Sequence, residues 1–219
     1  MIISRGRRFI FVHIPKTGGT AMALALEQRA KADDILIGDT PKAQKRKRRL
    51  KDLTPAGRLW KHSTLADIDG VVTPEEMDGM FIFTLVRNPW DRMVSYYHWL
   101  REQTFDHPAV IAANAVKFEA FLYRPEIQAS IAANPYGKYV TDAVGREQCS
   151  AYLRLENLAE DMAPLTAHLG FTPDVRIANT SPRNRDWRPY YSDDTAAIIA
   201  RICAADAQNF GYSFDGISA

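Results

Sequence analysis

Cysteine is nearly absent: Cys149 and Cys203 are the only two in 219 residues. They stand far apart and lack the paired spacing of a zinc site. A disulfide framework and a cysteine metal centre are both excluded, and the usage suits a reducing cytosol. Long apolar runs are missing too. Phe9–Val12 follows the bases Arg5, Arg7 and Arg8, as the start of a targeting segment would, but the run stops at His13 and soon meets Pro15 and Lys16. It is too short for a signal-peptide core, and nothing approaches the ~20 apolar residues of a membrane span. The chain has no internal repeat and no linker. With 46% hydrophobic and 25% charged residues, it reads as one soluble globular domain over residues 1–219, placed in the cytoplasm.

Net charge is small as well, with 28 Lys+Arg against 26 Asp+Glu, but its distribution is uneven. Lys42, Lys45, Arg46, Lys47, Arg48, Arg49 and Lys51 hold seven of the bases. The other 21 bases face 26 acids, a balance of −5. Basic character is therefore local, and its plainest reading is a solvated, partly mobile loop.

What is present alternates between two patterns. Arg7–Ile14 and Met80–Val86 are nearly continuous in β-branched and aromatic residues and predict buried strands. Ile35–Ile37 and Tyr152–Leu155 predict shorter ones. Thr20–Ala30 predicts a helix. Asn88-Pro89 suits the start of another, because Asn is a preferred N-cap and Pro is preorganised for the first turn. Along that helix Trp90, Met93, Val94, Tyr97 and Leu100 form an apolar face, with Ser95 off it. Residues 108–134 read as mostly helical, a helix ends near Gly170, Asn179–Tyr191 is an irregular loop, and Asp193–Gln208 is a final helix. Buried strands alternating with helices predict an α/β fold, a central parallel sheet flanked by helices.

In such a sheet, ligands bind at the carboxyl ends of the strands. The first long strand ends in Pro15-Lys16-Thr17-Gly18-Gly19-Thr20. Paired glycines let the backbone approach an anion, successive N–H groups can form a concave nest, and the following helix directs its positive end there. Thr17 and Thr20 add hydroxyls, and Lys16 adds charge. The nucleoside-triphosphate signature instead places its lysine after the glycines, with a hydroxyl on magnesium. The second strand ends in Arg87, a cation where kinases and ATPases carry a metal-holding acid. Two cations, with no evident carboxylate, predict an anionic ligand held without metal.

Phe11-Val-His-Ile-Pro-Lys-Thr-Gly-Gly-Thr20 resembles the 5′-phosphosulfate loop of sulfotransferases that use 3′-phosphoadenosine-5′-phosphosulfate (PAPS). Leu85-Val-Arg-Asn-Pro-Trp-Asp-Arg-Met-Val-Ser-Tyr-Tyr97 resembles their 3′-phosphate motif, in which an arginine (Arg87) is followed eight residues later by a serine (Ser95). The match is nearest the carbohydrate branch, with its heparan and chondroitin enzymes and bacterial relatives. It extends through Tyr152–Leu158 and Asn179–Arg183, and the N-terminal membrane anchor of the eukaryotic enzymes is not expected here. The resemblance implies a P-loop-like nucleotide-binding fold and in-line sulfuryl transfer from PAPS to a hydroxyl of a carbohydrate or glycolipid. It implies that Lys16, Thr17, Gly18, Gly19, Thr20, Arg87, Ser95 and Arg183 bind the donor, with no metal.

Of five histidines, His13 reads as packed, and His98, His107 and His168 carry no functional signal. His62 lies in Lys61-His-Ser-Thr-Leu-Ala-Asp-Ile68, similar to the His-x-x-x-x-Asp stretch that carries the base in heparan 2-O-sulfotransferases. The resemblance therefore implies His62 as catalytic base beside Lys16. Glu156 is the rival base, though a charged partner at a strand–helix junction is its plainer role. Two other functions remain in view: a kinase-like phosphotransferase, and a nucleic-acid-binding module built on residues 42–51. The acidic remainder of the chain speaks against the second, so the expected partner is a sugar or glycolipid acceptor, anionic ones included, rather than nucleic acid.

Overall fold

Five strands form where β-branched and aromatic residues run together. In the computed structural model, which describes residues 1–176 and 183–217, these are β1 (Ile2–Ser4), β2 (Phe9–Val12), β3 (Ile35–Leu36), β4 (Phe81–Val86) and β5 (Ala151–Arg154). They make one sheet in the order β3-β1-β2-β4-β5. β2, β4 and β5 run parallel, with Val12 opposite Thr84 and Leu85 opposite Leu153. The fold is α/β with a parallel-rich central sheet flanked by helices, as expected. The departure is β1, which pairs antiparallel with both β2 and β3. The bases before β2 explain it: Arg5–Arg7 form a 3-10 turn, and Arg8 takes a left-handed conformation (φ 53°) that reverses the chain.

Contacts divide the chain into two units. Met1–Val86 with Tyr136–Asn179 forms one, and Arg87–Pro135 with Thr180–Ala219 forms the other. In the first, Phe9, Phe11, Phe83, Leu85 and Leu153 share a core with Met22, Ala23 and Leu26 of α1 (Gly19–Glu27). Ala43 of α2 (Pro41–Arg46) and Leu165 of the helix Ala163–Leu169 join them. Each fully buried side chain of this size contributes about 1.5–3 kcal/mol by leaving water. Thr73 caps α3 (Pro74–Asp78) through a reciprocal bond with Glu76, just ahead of β4.

The basic run is not the loop that its composition predicts. Thr40 caps α2 by accepting from the Ala43 N–H, and a 3-10 turn continues over Lys47–Leu50. Lys42 bonds the Glu27 carbonyl, Arg46 the Lys31 and Asp34 carbonyls at 2.8 and 3.2 Å, and Arg49 the Ala32 carbonyl. Three of the seven cations thus bond carbonyls at the end of α1 and in the turn that follows it. Lys45, Lys47, Arg48 and Lys51 are exposed.

The second unit starts with α4 (Pro89–Arg101), capped by the Asn88 side chain accepting from Trp90 N–H, with Pro89 in the first turn as expected. Trp90, Met93, Val94, Tyr97 and Leu100 are buried. So is Ser95, at 5% exposure, although it lies off that stripe. Residues 108–134 supply three helices, Pro108–Ala115, Phe118–Leu122 and Pro125–Ala132. The expected helix Asp193–Gln208 is two, Asp193–Ile202 and Ala204–Phe210, broken at Cys203, and its N-cap is Ser192. Of the expected Asn179–Tyr191 loop, 179–182 lie outside the described residues, and Arg188–Tyr190 form a 3-10 turn. Among the described residues no helix is long and apolar enough to cross a membrane.

Phe83 is fully buried, with its ring stacked on Phe11 at 5.1 Å between centroids. Phe83→Ala is expected to lower stability by about 3–5 kcal/mol, read from chemical denaturation. A loss below ~1 kcal/mol would place the core's weight elsewhere.

Candidate active site

The turn after β2 is held by its own side chains. Thr17, fully buried, donates its hydroxyl to the Ile14 carbonyl at 3.0 Å. Lys16 sits in the left-handed region (φ 66°), rare for a residue with a Cβ. Gly18 follows at φ 88° and is the N-cap of α1. A Cβ on Gly18 would come within 2.8 Å of Leu155, and one on Gly19 would overlap the His13 ring. Both glycines are therefore fixed by close approach of protein atoms. The first N–H groups of α1 have no intrahelical acceptor and carry the positive end of the helix dipole. With Lys16 beside them, and Thr20 in the first turn, the end of β2 fits an anion.

His62 comes to the same strand end from an irregular segment. Its Nδ1 lies 2.7 Å from the His13 carbonyl oxygen. A carbonyl only accepts, so Nδ1 carries the proton and Nε2 keeps the basic lone pair. The imidazole also meets two rings edge-to-face, His13 at 4.7 Å and Trp60 at 5.0 Å. Burial lowers the His62 pKa to about 3, the Lys61 charge adding to the effect and the bond to His13 opposing it. His13 is buried, as expected, and burial followed by the His62 charge holds its pKa well below the ordinary imidazole value. Both imidazoles are neutral at physiological pH.

The other carboxylates near this segment have structural work. Asp67 accepts from the Thr64 N–H at 2.7 Å and from its hydroxyl at 3.0 Å, closing a turn. At the β5–helix junction Arg154 pairs with Asp161 at 2.8 Å, and Glu156 beside them is exposed.

In the second unit, Arg87 donates from Nε and Nη2 to Asp91 Oδ2 at 2.8 and 2.6 Å. Arg183 donates to Asp91 Oδ1 at 2.6 Å. The three side chains are 9–13% exposed. Asp91 thus brings together two cations that lie far apart in sequence. Ser95, four residues further along α4, stands one turn beyond Asp91 on the same side of the helix. This corrects the expectation that neither strand-end motif carries a carboxylate: Asp91 does, and each of its oxygens accepts from an arginine.

β2 and β4 are adjacent and parallel, so the Lys16 turn lies at the end of the sheet where β4 finishes at Val86. A sequence model of the sulfotransferase family matches residues 1–213. The chain belongs to the sulfotransferase family. Its fold is similar to that of mouse sulfotransferase SULT7A1 complexed with PAP, with a TM-score of 0.53 and 17% identity over 93% of this chain and 85% of that one. No curated protein matches.

As a sulfotransferase the chain is a transferase of sulfuryl groups, and the sequence alone does not single out three further residues at these sites. Asp91 had a signal, since it stands one helical turn after Arg87. His13 contributes a main-chain carbonyl, which no residue type announces. Trp60 sits in an irregular stretch without period.

The depressed His62 pKa has a consequence for acid stability. An ordinary imidazole takes its proton near pH 6.5, whereas His62 does so near 3. Between those values the unfolded chain binds more protons. Stability from neutral His62 is therefore complete above pH 6.5 and is lost as pH falls through that window. His62→Gln is expected to flatten the fall in Tm between pH 6.5 and 4. An unchanged slope would assign the acid sensitivity to His13 or other groups.

Proposed function

We propose that this sulfotransferase moves a sulfuryl group from PAPS to a hydroxyl of a carbohydrate or glycolipid in the cytoplasm, and that its two units act as one domain. In this reading Lys16, Thr17, Gly18, Gly19 and Thr20 hold the 5′ end of the donor, and Arg87, Ser95 and Arg183 hold its 3′-phosphate. The observation that carries it is the gathering of Arg87 and Arg183 on Asp91, since a paired guanidinium site suits a dianionic phosphate. The family match spans both units, which supports a single catalytic domain. Burial raises both cysteine thiols to about 12, so neither is a reactive thiolate, as suits a reducing compartment.

When bound, the donor supplies the sulfuryl group and a phosphate leaving group. Lys16 and the N–H groups that open α1 set positive potential where the leaving oxygen gains charge, a preorganised arrangement of the kind that dominates such catalysis. His62 accepts the acceptor's hydroxyl proton at Nε2. Its low pKa makes it a weak base in the free protein, and an anion bound nearby strengthens it by favouring the imidazolium. Proton acceptance is thereby coupled to donor binding. The exposed cations Lys45, Lys47, Arg48 and Lys51 raise the local concentration of an anionic acceptor.

Adenosine 3′,5′-bisphosphate (PAP) is expected to raise Tm with chelator present, and ATP much less. Arg87→Ala is expected to weaken PAP by about 10- to 100-fold, since a charge-assisted bond contributes ~1.5–3 kcal/mol, while adenosine 5′-phosphate changes little. Calorimetry with both ligands separates the outcomes: equal weakening would make Arg87 a support of the fold.

His62→Ala is expected to keep PAP affinity and lower turnover by roughly 10²–10⁴, whereas Lys16→Ala lowers turnover for every acceptor. Because the His62 pKa lies near 3, no acidic limb is expected in the free-enzyme kcat/KM profile near pH 6.5. A limb at 6.5 that survives in His62→Ala would transfer the base role to another group.

A further inference from the structure

We propose that Trp60 is an acceptor platform, which takes the apolar face of a pyranose ring and sets one of its hydroxyls before His62. The inference rests on the donor and base assignments above and extends them to the acceptor.

Trp60 is 41% exposed, although its own segment buries Leu65 and Ile68 completely. Leaving an indole partly in water forgoes apolar burial that a ligand's ring could supply. The indole is not loose. The Ser63 hydroxyl, fully buried, accepts from the Trp60 N–H at 2.9 Å and lies 2.8 and 2.9 Å from the Arg58 and Trp60 carbonyls. Its single proton goes to one of them. Leu65 and Ala66 then donate to the Tyr139 and Thr141 carbonyls at 3.0 and 3.2 Å, which fixes the segment to the rest of its unit. The indole meets His62 at 5.0 Å and 88°, and His62 is oriented by the His13 carbonyl. A fixed, partly exposed aromatic ring therefore stands one ring contact from the proposed base.

An aromatic face with polar groups at its edge suits a ring that is apolar on one face and polar around its rim. A pyranose matches it, with C–H groups on one face and hydroxyls around the rim. Arg58, exposed, holds its guanidinium over one face of the indole, 5.4 Å from the ring centroid, so the sugar would take the other face. Lys61, in contrast, is already paired with Asp39 at 2.6 Å. Arg58 is thus the cation placed to read a carboxylate on the bound ring, and a uronate is the favoured acceptor.

The test uses the full chain with PAPS and three probes: methyl β-glucopyranoside, methyl β-glucuronide and glycerol. Trp60→Ala is expected to raise KM for both pyranosides by about tenfold or more, the scale of a buried aromatic anchor. Trp60→Phe should restore most of the loss, and glycerol KM should not move. Arg58→Gln should raise KM for the glucuronide alone. PAP affinity, measured by calorimetry on the same samples, should match wild type in all three variants and reports that they are folded. Equal pyranoside KM in Trp60→Ala and wild type would overturn the platform. So would equal loss for glycerol and the sugars, which would make the indole a mere shield of His62. A wild type that binds PAP but sulfates neither pyranoside would overturn the sugar assignment alone. A wild type that fails to bind PAP would remove the donor reading, and the platform with it.

Discussion

The Thr84 hydroxyl donates to the Val12 carbonyl at 2.7 Å, fully buried, across the seam where β2 and β4 lie parallel. Parallel pairing sends both strands out of the sheet at one end, and the turn that carries Lys16 depends on that alignment. Immediately beyond Val12, two consecutive carbonyls are put to use. That of His13 fixes the tautomer of His62, and that of Ile14 closes the Lys16 turn through Thr17. The proposed donor loop and the proposed base are thus both referenced to the same few atoms of main chain. The core beneath, with Phe11 stacked on Phe83, keeps those atoms in place.

Charge is handled in opposite ways in the two units. In the first, burial keeps His13 and His62 neutral, so the imidazoles cost little desolvation and one of them retains a lone pair. In the second, the guanidinium groups of Arg87 and Arg183 cannot neutralise and are held instead by Asp91. Removing one member of so enclosed a cluster would leave a costly charge behind. The carboxylate therefore holds the arginines in a defined geometry and also competes with any phosphate for their donors.

Much of the frame was legible in the sequence. β2 and β4 were visible as apolar runs, the turn between β2 and α1 in its glycines, and the start of α4 in Asn88-Pro89. The antiparallel β1 was not, because Ile2–Ser4 is too short to show a period and its reversal depends on a left-handed Arg8. The basic run misled for a different reason. Its composition reads as solvated, while its helix comes from the Thr40 cap and buried Ala43, and from carbonyls 12 to 17 residues away that accept from Lys42, Arg46 and Arg49. At the site, Lys16 and Arg87 carried signals in motif spacing. The link from Arg183 to Asp91 spans 92 residues, and nothing local foretells it.

The alternation of the two units along the chain bears on how the protein can be made and divided. Each unit is assembled from two segments, with a segment of the other between them. No single cut separates the polypeptide into two pieces that each retain a complete unit. During synthesis, β4 emerges with one edge open and stays so until residues 151–154 arrive to pair with it. Arg87 and Asp91 likewise precede Arg183 by most of the second half of the chain. Both units therefore close late and through distant contacts, a topology that slows folding and leaves an unpaired strand edge exposed on the nascent chain.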